Sequence, residues 1–380
     1  MTDTHDLRDW LVALRTPGLG PGGLRELLAE HAGRMSDALA VVYRQPGNAG
    51  EAARRWLEQP DEARLAEDMA WLAQPGHRLL RCTDEDFPPP LETIPQPPVA
   101  LFVAGDAALL LHPQVAIVGA RRASPAGLGN ARAFARALGQ AGLLVTSGMA
   151  DGIDGAAHLA ALDAGLPTVA VVGTGPDRVY PRKHHALAQR IVAGGALVSE
   201  FSPGTAARAD HFPRRNRIIA GLSLGTLVIE AGLQSGSLIT ARLAGEQGRE
   251  VFALPGSIHN SLARGCHRLI RDGARLVEEP GEVVEALAPA ARALGSELAL
   301  RLSAPSATTA APAAAVDGGR HADPQYRRLL DALGHDPVPL DELVARTGQP
   351  AAELSSMLLM LELEGRVGTL PGNRYQRLAG

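Results

Sequence analysis

The stretch VAIVGARRASPAGLGNA, Val115 to Ala131, carries residue types suited to holding an anion. An apolar run ends at Gly119, two arginines follow, and Ser124 and Pro125 stand where a helix N-cap and its first turn belong. The free N–H groups of such a helix start, with the forked donors of Arg121 and Arg122, suit phosphate oxygens. Four further segments share this character. SGMADGIDGAAH begins at Ser147 and Gly148 and brings backbone close to any ligand. DRVYPRKHHA gathers Arg178, Arg182 and Lys183 beside Tyr180. HFPRRNRIIAGLS sets Arg214, Arg215 and Arg217 around Asn216, behind Phe212. One aromatic ring and several guanidinium groups are what a single-strand groove uses, one base stacked and successive phosphates neutralised. EAGLQSGSLITA supplies Gly232, Ser235, Gly236, Ser237 and Thr240. One such loop holds one phosphate. Five at one sheet edge predict a chain of phosphates, and so a polynucleotide.

Other chemistries fit less well. A dinucleotide fold needs GxGxxG after the first strand and an acid after the second. The loop here reads GARRAS, and the second strand ends in Ser147 and Gly148. GxxxxGK[ST] does not occur. Asp151 and Asp154 lack a third carboxylate at metal-ligand spacing and are expected to cap the next helix or accept from backbone amides. His158, alone on that helix, reads as a packing residue. No catalytic residue, metal or cofactor is therefore expected.

These loops need a scaffold. VAIVG, GLLVTSG, PTVAVVG, ALVSEF, GTLVIEA and EVFALPG are short apolar runs alternating with helical stretches such as AGLGNARAFARALGQAG. That pattern predicts a parallel sheet covered on both faces, a Rossmann-like doubly wound α/β domain over residues 115–290, with its site at the carboxyl ends of the strands. Residues 1–75 read as a helical domain of SAM or helix-hairpin-helix type, in which TPGLGPGG turns a corner; its alternative, an amide contact to a DNA phosphate, is weakened by nearby acids. Residues 76–114 form a proline-rich connector ending in the strand VALFVAGD. Residues 291–322 read as an Ala/Pro/Ser/Thr linker. Residues 323–380 read as helix, helix, helix and hairpin, a winged-helix pattern.

The chain has 380 residues and a net charge of −4, unevenly spread. Residues 115–290 hold 18 basic and 14 acidic side chains. A basic middle in an acidic protein suits an anionic partner. Aromatic residues make up only 3%, so a nucleic-acid site must lean on arginines and backbone. Two distant cysteines, Cys82 and Cys266, an acidic N-terminal start and the lack of a long apolar run predict a cytoplasmic protein without membrane contact.

In their order and spacing, VAIVGARRAS, VTSGMADGIDGAAH, VVGTGPDRVYP, FPRRNRIIAGLS, EAGLQSGSLITA and ALPGSI resemble the DNA-processing protein A family (DprA, also called Smf). The resemblance implies a non-enzymatic protein that binds single-stranded DNA, forms a homodimer through the Rossmann-like domain and loads RecA during natural transformation. It places Gly119, Arg121 and Ser124 at a phosphate pocket with Ser147 and Gly148, beside Arg122. Lys183, Phe212, Arg214, Arg215 and Arg217, with Asn216, would line the strand's path, and Gly236 and Ser237 would close the far side. Arg121 and Arg215 are expected to be replaceable by alanine together without harm to the fold. The wing's third helix, AAELSSMLLMLELEG, has no basic residue, which favours protein contact over groove reading. RNRIIAGLSLGTLVIEA also resembles the LOG phosphoribohydrolases, with Arg217 on phosphate and Glu230 on ribose. The turn GLSLGT, however, lacks that family's double glycine.

Overall fold

The computed structural model describes residues 2–303, 324–333, 338–349, 354, 357–358, 361, 367–370 and 374–377. The chain divides into two compact units, residues 1–305 and 306–380.

All six sequence-predicted strands form, within a nine-stranded sheet: β1 (His77–Arg81), β2 (Ala100–Gly105), β3 (Gln114–Gly119), β4 (Leu144–Ser147), β5 (Thr168–Val172), β6 (Ala196–Ser199), β7 (Gly225–Ile229), β8 (Glu250–Ala253) and β9 (Arg275–Leu276). Their order is β1-β2-β6-β5-β4-β3-β7-β8-β9. β3 to β9 pair in parallel. The expected all-parallel sheet is extended by β1 and β2, which pair antiparallel. The connector thus supplies two sheet strands, because all but one of its prolines fall between them, in the segment Pro88–Pro98.

Both faces of the sheet are buried, so its strands are continuously apolar. In β3, Ala116 and Val118 face one core, and Val115 and Ile117 the other. In β2, Leu101 and Val103 join the sheet core while Phe102 and Ala104 join Trp10, Leu24 and Trp71 of the N-terminal helices. Those helices are α1 (Thr2–Leu14), α2 (Pro21–Glu30), α3 (Met35–Arg44), α4 (Asn48–Glu58) and α5 (Glu62–Leu72).

α6 (Pro89–Glu92) follows in the connector, then α7 (Pro125–Gln140), α8 (Ile153–Asp163), α9 (His185–Gly194), α10 (His211–Leu222), α11 (Ser237–Glu246), α12 (Arg264–Arg271) and α13 (Pro280–Ser303). α7, α8 and α13 cover one sheet face; α10, α11 and α12 contribute to the core on the other. α13 corrects the expected linker start at 291: it runs through Pro289 to Ser303, and Leu294 is buried in the sheet core.

From β3 the chain steps outward through β4, β5 and β6, then returns to lay β7 on the other side of β3. Gly119 pairs with Ile229, so both strands end level. Loops leaving two such strands part to opposite faces, and a crevice opens between them at the carboxyl ends.

In the second unit, α14 (Pro324–Leu333), α15 (Leu340–Thr347) and a sheet of β10 (Val338–Pro339), β11 (Val367–Leu370) and β12 (Arg374–Arg377) enclose Leu329, Leu333, Leu343 and Leu358. Most of the predicted third helix lies outside the described residues. Its Leu354, Met357, Leu358 and Leu361 are described, and all are buried. Residues 304–322 of the predicted linker also lie outside them.

Candidate functional site

A cavity of about 820 Å³ occupies the crevice. Eight of the residues that the sequence placed on the DNA strand line it: Gly119, Arg121, Arg122, Phe212, Arg215, Asn216, Gly236 and Ser237. Arg208 and Gln234 line it as well. The sequence reading missed Arg208, which lies in the loop after β6; searching every loop after a parallel strand would have found it. Four guanidinium groups thus meet one carboxylate, Asp154, among the lining side chains. Arg121, Arg122 and Arg208 are exposed and Arg215 is buried, which gives a positive rim over a positive floor. Arg121 lies over the Phe212 ring, 5.9 Å from its centroid, a cation–π contact.

The floor is a hydrogen-bonded lattice. Arg215 Nη1 donates to the carbonyls of Gly148, at 2.7 Å, and Val171. A Cβ on Gly148 would overlap this guanidinium, so the glycine admits the arginine. Asp154 accepts from the amides of Gly148 (3.1 Å) and Ala150 (3.3 Å), as the sequence suggested. Burial pushes the Asp154 carboxyl up, against the pull of Arg215. Burial likewise lowers Arg215 to about 10, with Asp154 opposing the shift. Arg215 therefore ties together the ends of β4 and β5. The expectation that it could be removed without harm to the fold is corrected: its loss leaves two carbonyls and a buried carboxylate without their cation.

His158 packs, as expected. Thr168 Oγ1 gives its proton to the Val145 carbonyl (2.7 Å), so it must accept from His158 Nδ1 (2.8 Å). Nε2 is then a bare, buried lone pair without a partner. Burial lowers this imidazole to about 3, and His184 and Arg215 add to the shift.

The start of α7 differs from the sequence reading. Ser124 caps it, accepting from Gly127 N at 3.0 Å. But Ser124 N donates to Glu230 Oε2 at 2.8 Å, and its hydroxyl donates to Glu230 Oε1. An internal carboxylate occupies the place expected for phosphate, and Ser124 does not line the cavity. A Cβ on Gly127 would overlap that carboxylate. Glu230 adopts φ +53, a strained conformation for a non-glycine residue, and its carbonyl accepts from Ala120 N at 2.7 Å. Asn260 reaches Glu230 Oε1 at 3.4 Å. Glu230 is thus committed to this turn and is absent from the cavity lining, away from where ribose chemistry would need it. Gly119 is a packing requirement too, since a Cβ there would overlap the Ile229 carbonyl.

Other residues are placed elsewhere. Successive residues of a helix point about 100° apart, so the four residues Arg214–Arg217 on α10 cannot all face the cavity, and only Arg215 and Asn216 do. Arg217 is buried and pairs with Glu200, while Arg214 Nε lies 3.0 Å from the other oxygen of the same carboxylate. Burial lowers Arg217, and Glu200 opposes the shift. Arg214 lines a separate cleft of about 310 Å³ beside Arg15, Arg64 and Trp56. Ser147 Oγ donates to the Ile117 carbonyl at 2.6 Å and is fully buried. Lys183 pairs with Asp151 at 2.9 Å. Gly148 and Asp151 line a niche of about 60 Å³ with Arg121, Arg215, Tyr180 and Phe212. Among the described residues, no cluster of three His, Cys, Asp or Glu is placed to hold a metal, and no helix is long and apolar enough to cross a membrane.

Residues 78–288 match the family model for DNA recombination-mediator protein A, and residues 305–373 that for the DprA winged helix domain. Protein Smf of Escherichia coli K12 is 42% identical over 352 residues, covering 92% of this chain and 90% of that protein. DNA processing protein DprA of Streptococcus pneumoniae R6 is 43% identical over 226 residues, 60% of this chain and 78% of that one. The X-ray structure of DNA processing protein A from S. pneumoniae aligns with TM-score 0.66 at 36% identity, over 73% of this chain and 97% of that one. DNA processing protein A from Helicobacter pylori aligns with TM-score 0.51 at 29% identity, over 56% of this chain and 96% of that one. With a glycine-lined, arginine-rimmed crevice at the switch point of its sheet and a match to the DprA winged helix domain over its C-terminal residues, the chain belongs to the DNA-processing protein A (DprA/Smf) family.

Proposed function

We propose that the chain binds single-stranded DNA in the crevice between β3 and β7. On this reading it is a cytoplasmic recombination mediator without catalysis, which shields incoming strands and loads RecA during natural transformation, as a homodimer formed through the sheet domain. The observation that carries the reading is the lining of the cavity, where Arg121, Arg122, Arg208 and Arg215 face one carboxylate. The start of α11, whose first amides are bonded within the turn at Ser235–Gly236, brings Gly236 and the side chain of Ser237 to the same cavity. The relative from H. pylori is described by its single-stranded DNA binding mode, which supports the same ligand here.

Anisotropy of labelled oligo-dT and of a duplex of equal length, titrated with the full chain across a salt series, tests the reading. The single strand is expected to bind more tightly. Replacing Arg121 and Arg122 together by alanine is expected to weaken it and to flatten the log–log salt slope by about 0.7 for each phosphate no longer neutralised. An unchanged affinity and slope would take the rim out of the site. Addition of the wild-type chain should speed RecA assembly on strands covered by a single-strand-binding protein; no acceleration would remove the loading step.

A further inference from the structure

The sequence offered Phe212 as the ring for a stacked base, yet the surroundings of Phe212 leave it little free face. Arg121 lies over the ring at 5.9 Å. Gly173 packs so closely that a Cβ there would come 3.0 Å from Phe212 Cδ1. Tyr180 closes a further side, its centroid 5.4 Å away at an interplanar angle of 42°. Phe212 itself is only partly exposed.

Tyr180 has the complementary properties. It lines the main cavity and the small niche that adjoins it, as Phe212 does, but it is 48% exposed. Arg121 and Arg215 line the same two spaces, which puts the ring beside two candidate phosphate ligands. Among the residues whose burial is described, the other exposed tyrosine is Tyr43, which bonds through its hydroxyl to Glu58 in the N-terminal helices.

We propose that Tyr180 is the ring on which an unpaired base stacks, and that Phe212 is a positioning residue that seats Tyr180 and Arg121. The assignment rests on the single-stranded DNA reading above and adds to it a recognition of the base. An aromatic face receives any base, so the contact favours bases over bare backbone and is tolerant of sequence.

The test uses the full chain with two ligands of equal length, oligo-dT and an abasic deoxyribose-phosphate oligomer. Tyr180→Ala is expected to weaken oligo-dT about tenfold and the abasic oligomer by less than about twofold, whereas Tyr180→Phe, which keeps a ring, stays near wild type on both. Phe212→Ala is expected to weaken both ligands, because Arg121 loses its seat. Equal losses for Tyr180→Ala on both ligands, or no loss on either, would overturn the assignment; so would a Phe212→Ala defect confined to oligo-dT. Should Tyr180→Ala fail to fold, Tyr180→Trp decides: its added fluorescence is quenched by oligo-dT and not by the abasic oligomer if the base stacks there, and is unmoved by both if it does not. Wild-type protein that binds neither oligomer would instead sink the underlying single-strand reading.

Discussion

Arg215 donates into the carbonyls of Gly148 and Val171, while Arg217, two residues on, closes on Glu200. Both are buried, and each has a polar atom without a partner, Nε of Arg215 and Nη1 of Arg217. Of the two, only Arg215 lines the cavity, whereas the charge of Arg217 is offset by Glu200 outside that lining. His158 sits behind this lattice, and its chemistry gives a signed prediction. Its folded value, about 3, lies below the ordinary 6.5, so below about pH 6.5 the unfolded chain binds a proton that the folded chain refuses. Stability from this residue is full above pH 6.5 and is lost as the pH falls toward 3, by up to about 1.4 kcal/mol per pH unit. His158→Asn keeps a donor for Thr168 and does not titrate. Urea unfolding between pH 7 and 4 is therefore expected to fall less steeply with acid in the variant, with a difference near one proton. Parallel pH profiles would show that His158 is not the residue refusing the proton.

At the scale of elements, α7 is anchored by a side chain from the end of β7, 106 residues away from Ser124. The glycine at 127 exists for that carboxylate, so Gly127→Ala must displace Glu230 and release the Ser124 turn. The expected cost is about 1–3 kcal/mol, as for overpacking at a tight site. With Glu230→Ala already in place, the same alanine should cost much less, and a double-mutant cycle by chemical denaturation measures the coupling. Additive losses would mean that Gly127 and Glu230 act independently. This contact also marks where the sequence stops being legible. Short apolar runs ending in glycine or serine reveal the parallel strands, because burial on both faces demands uninterrupted hydrophobic residues. The loops after β3 and β7 are visible for the same reason. What the string of letters does not show is that a glycine–serine–helix start can be filled from within, since an anion and a distant glutamate satisfy it equally well. RRNR had a similar ambiguity: four consecutive polar residues look like one patch until the helix turns Arg214, Arg215 and Arg217 toward different surroundings.

At the scale of the whole molecule, the boundaries drawn from composition cut through one core. β2 pairs with both β1 and β6, and Phe102 on β2 packs with the N-terminal helices, so residues 1–75 are not separable from the sheet. α13 binds the end of the first unit: Leu294 is buried in the sheet core, and Arg301 reaches Glu92 of α6 at 3.0 Å. The second unit encloses its own core, from Leu329 to Val367, and residues 326–380 carry six basic and seven acidic side chains, no field for a polyanion. A chain ending at Ser303 is therefore expected to keep the thermal transition of the first unit, the affinity for oligo-dT and its salt slope. A chain ending at Ala290 loses the buried Leu294, worth about 1.5–3 kcal/mol by itself, together with the Arg301–Glu92 pair, and should melt several degrees lower. Calorimetry and anisotropy on the two truncations separate stability from binding. A drop of more than about tenfold in single-strand affinity on cutting at Ser303 would place part of the polynucleotide site in the winged helix domain, against the charge argument.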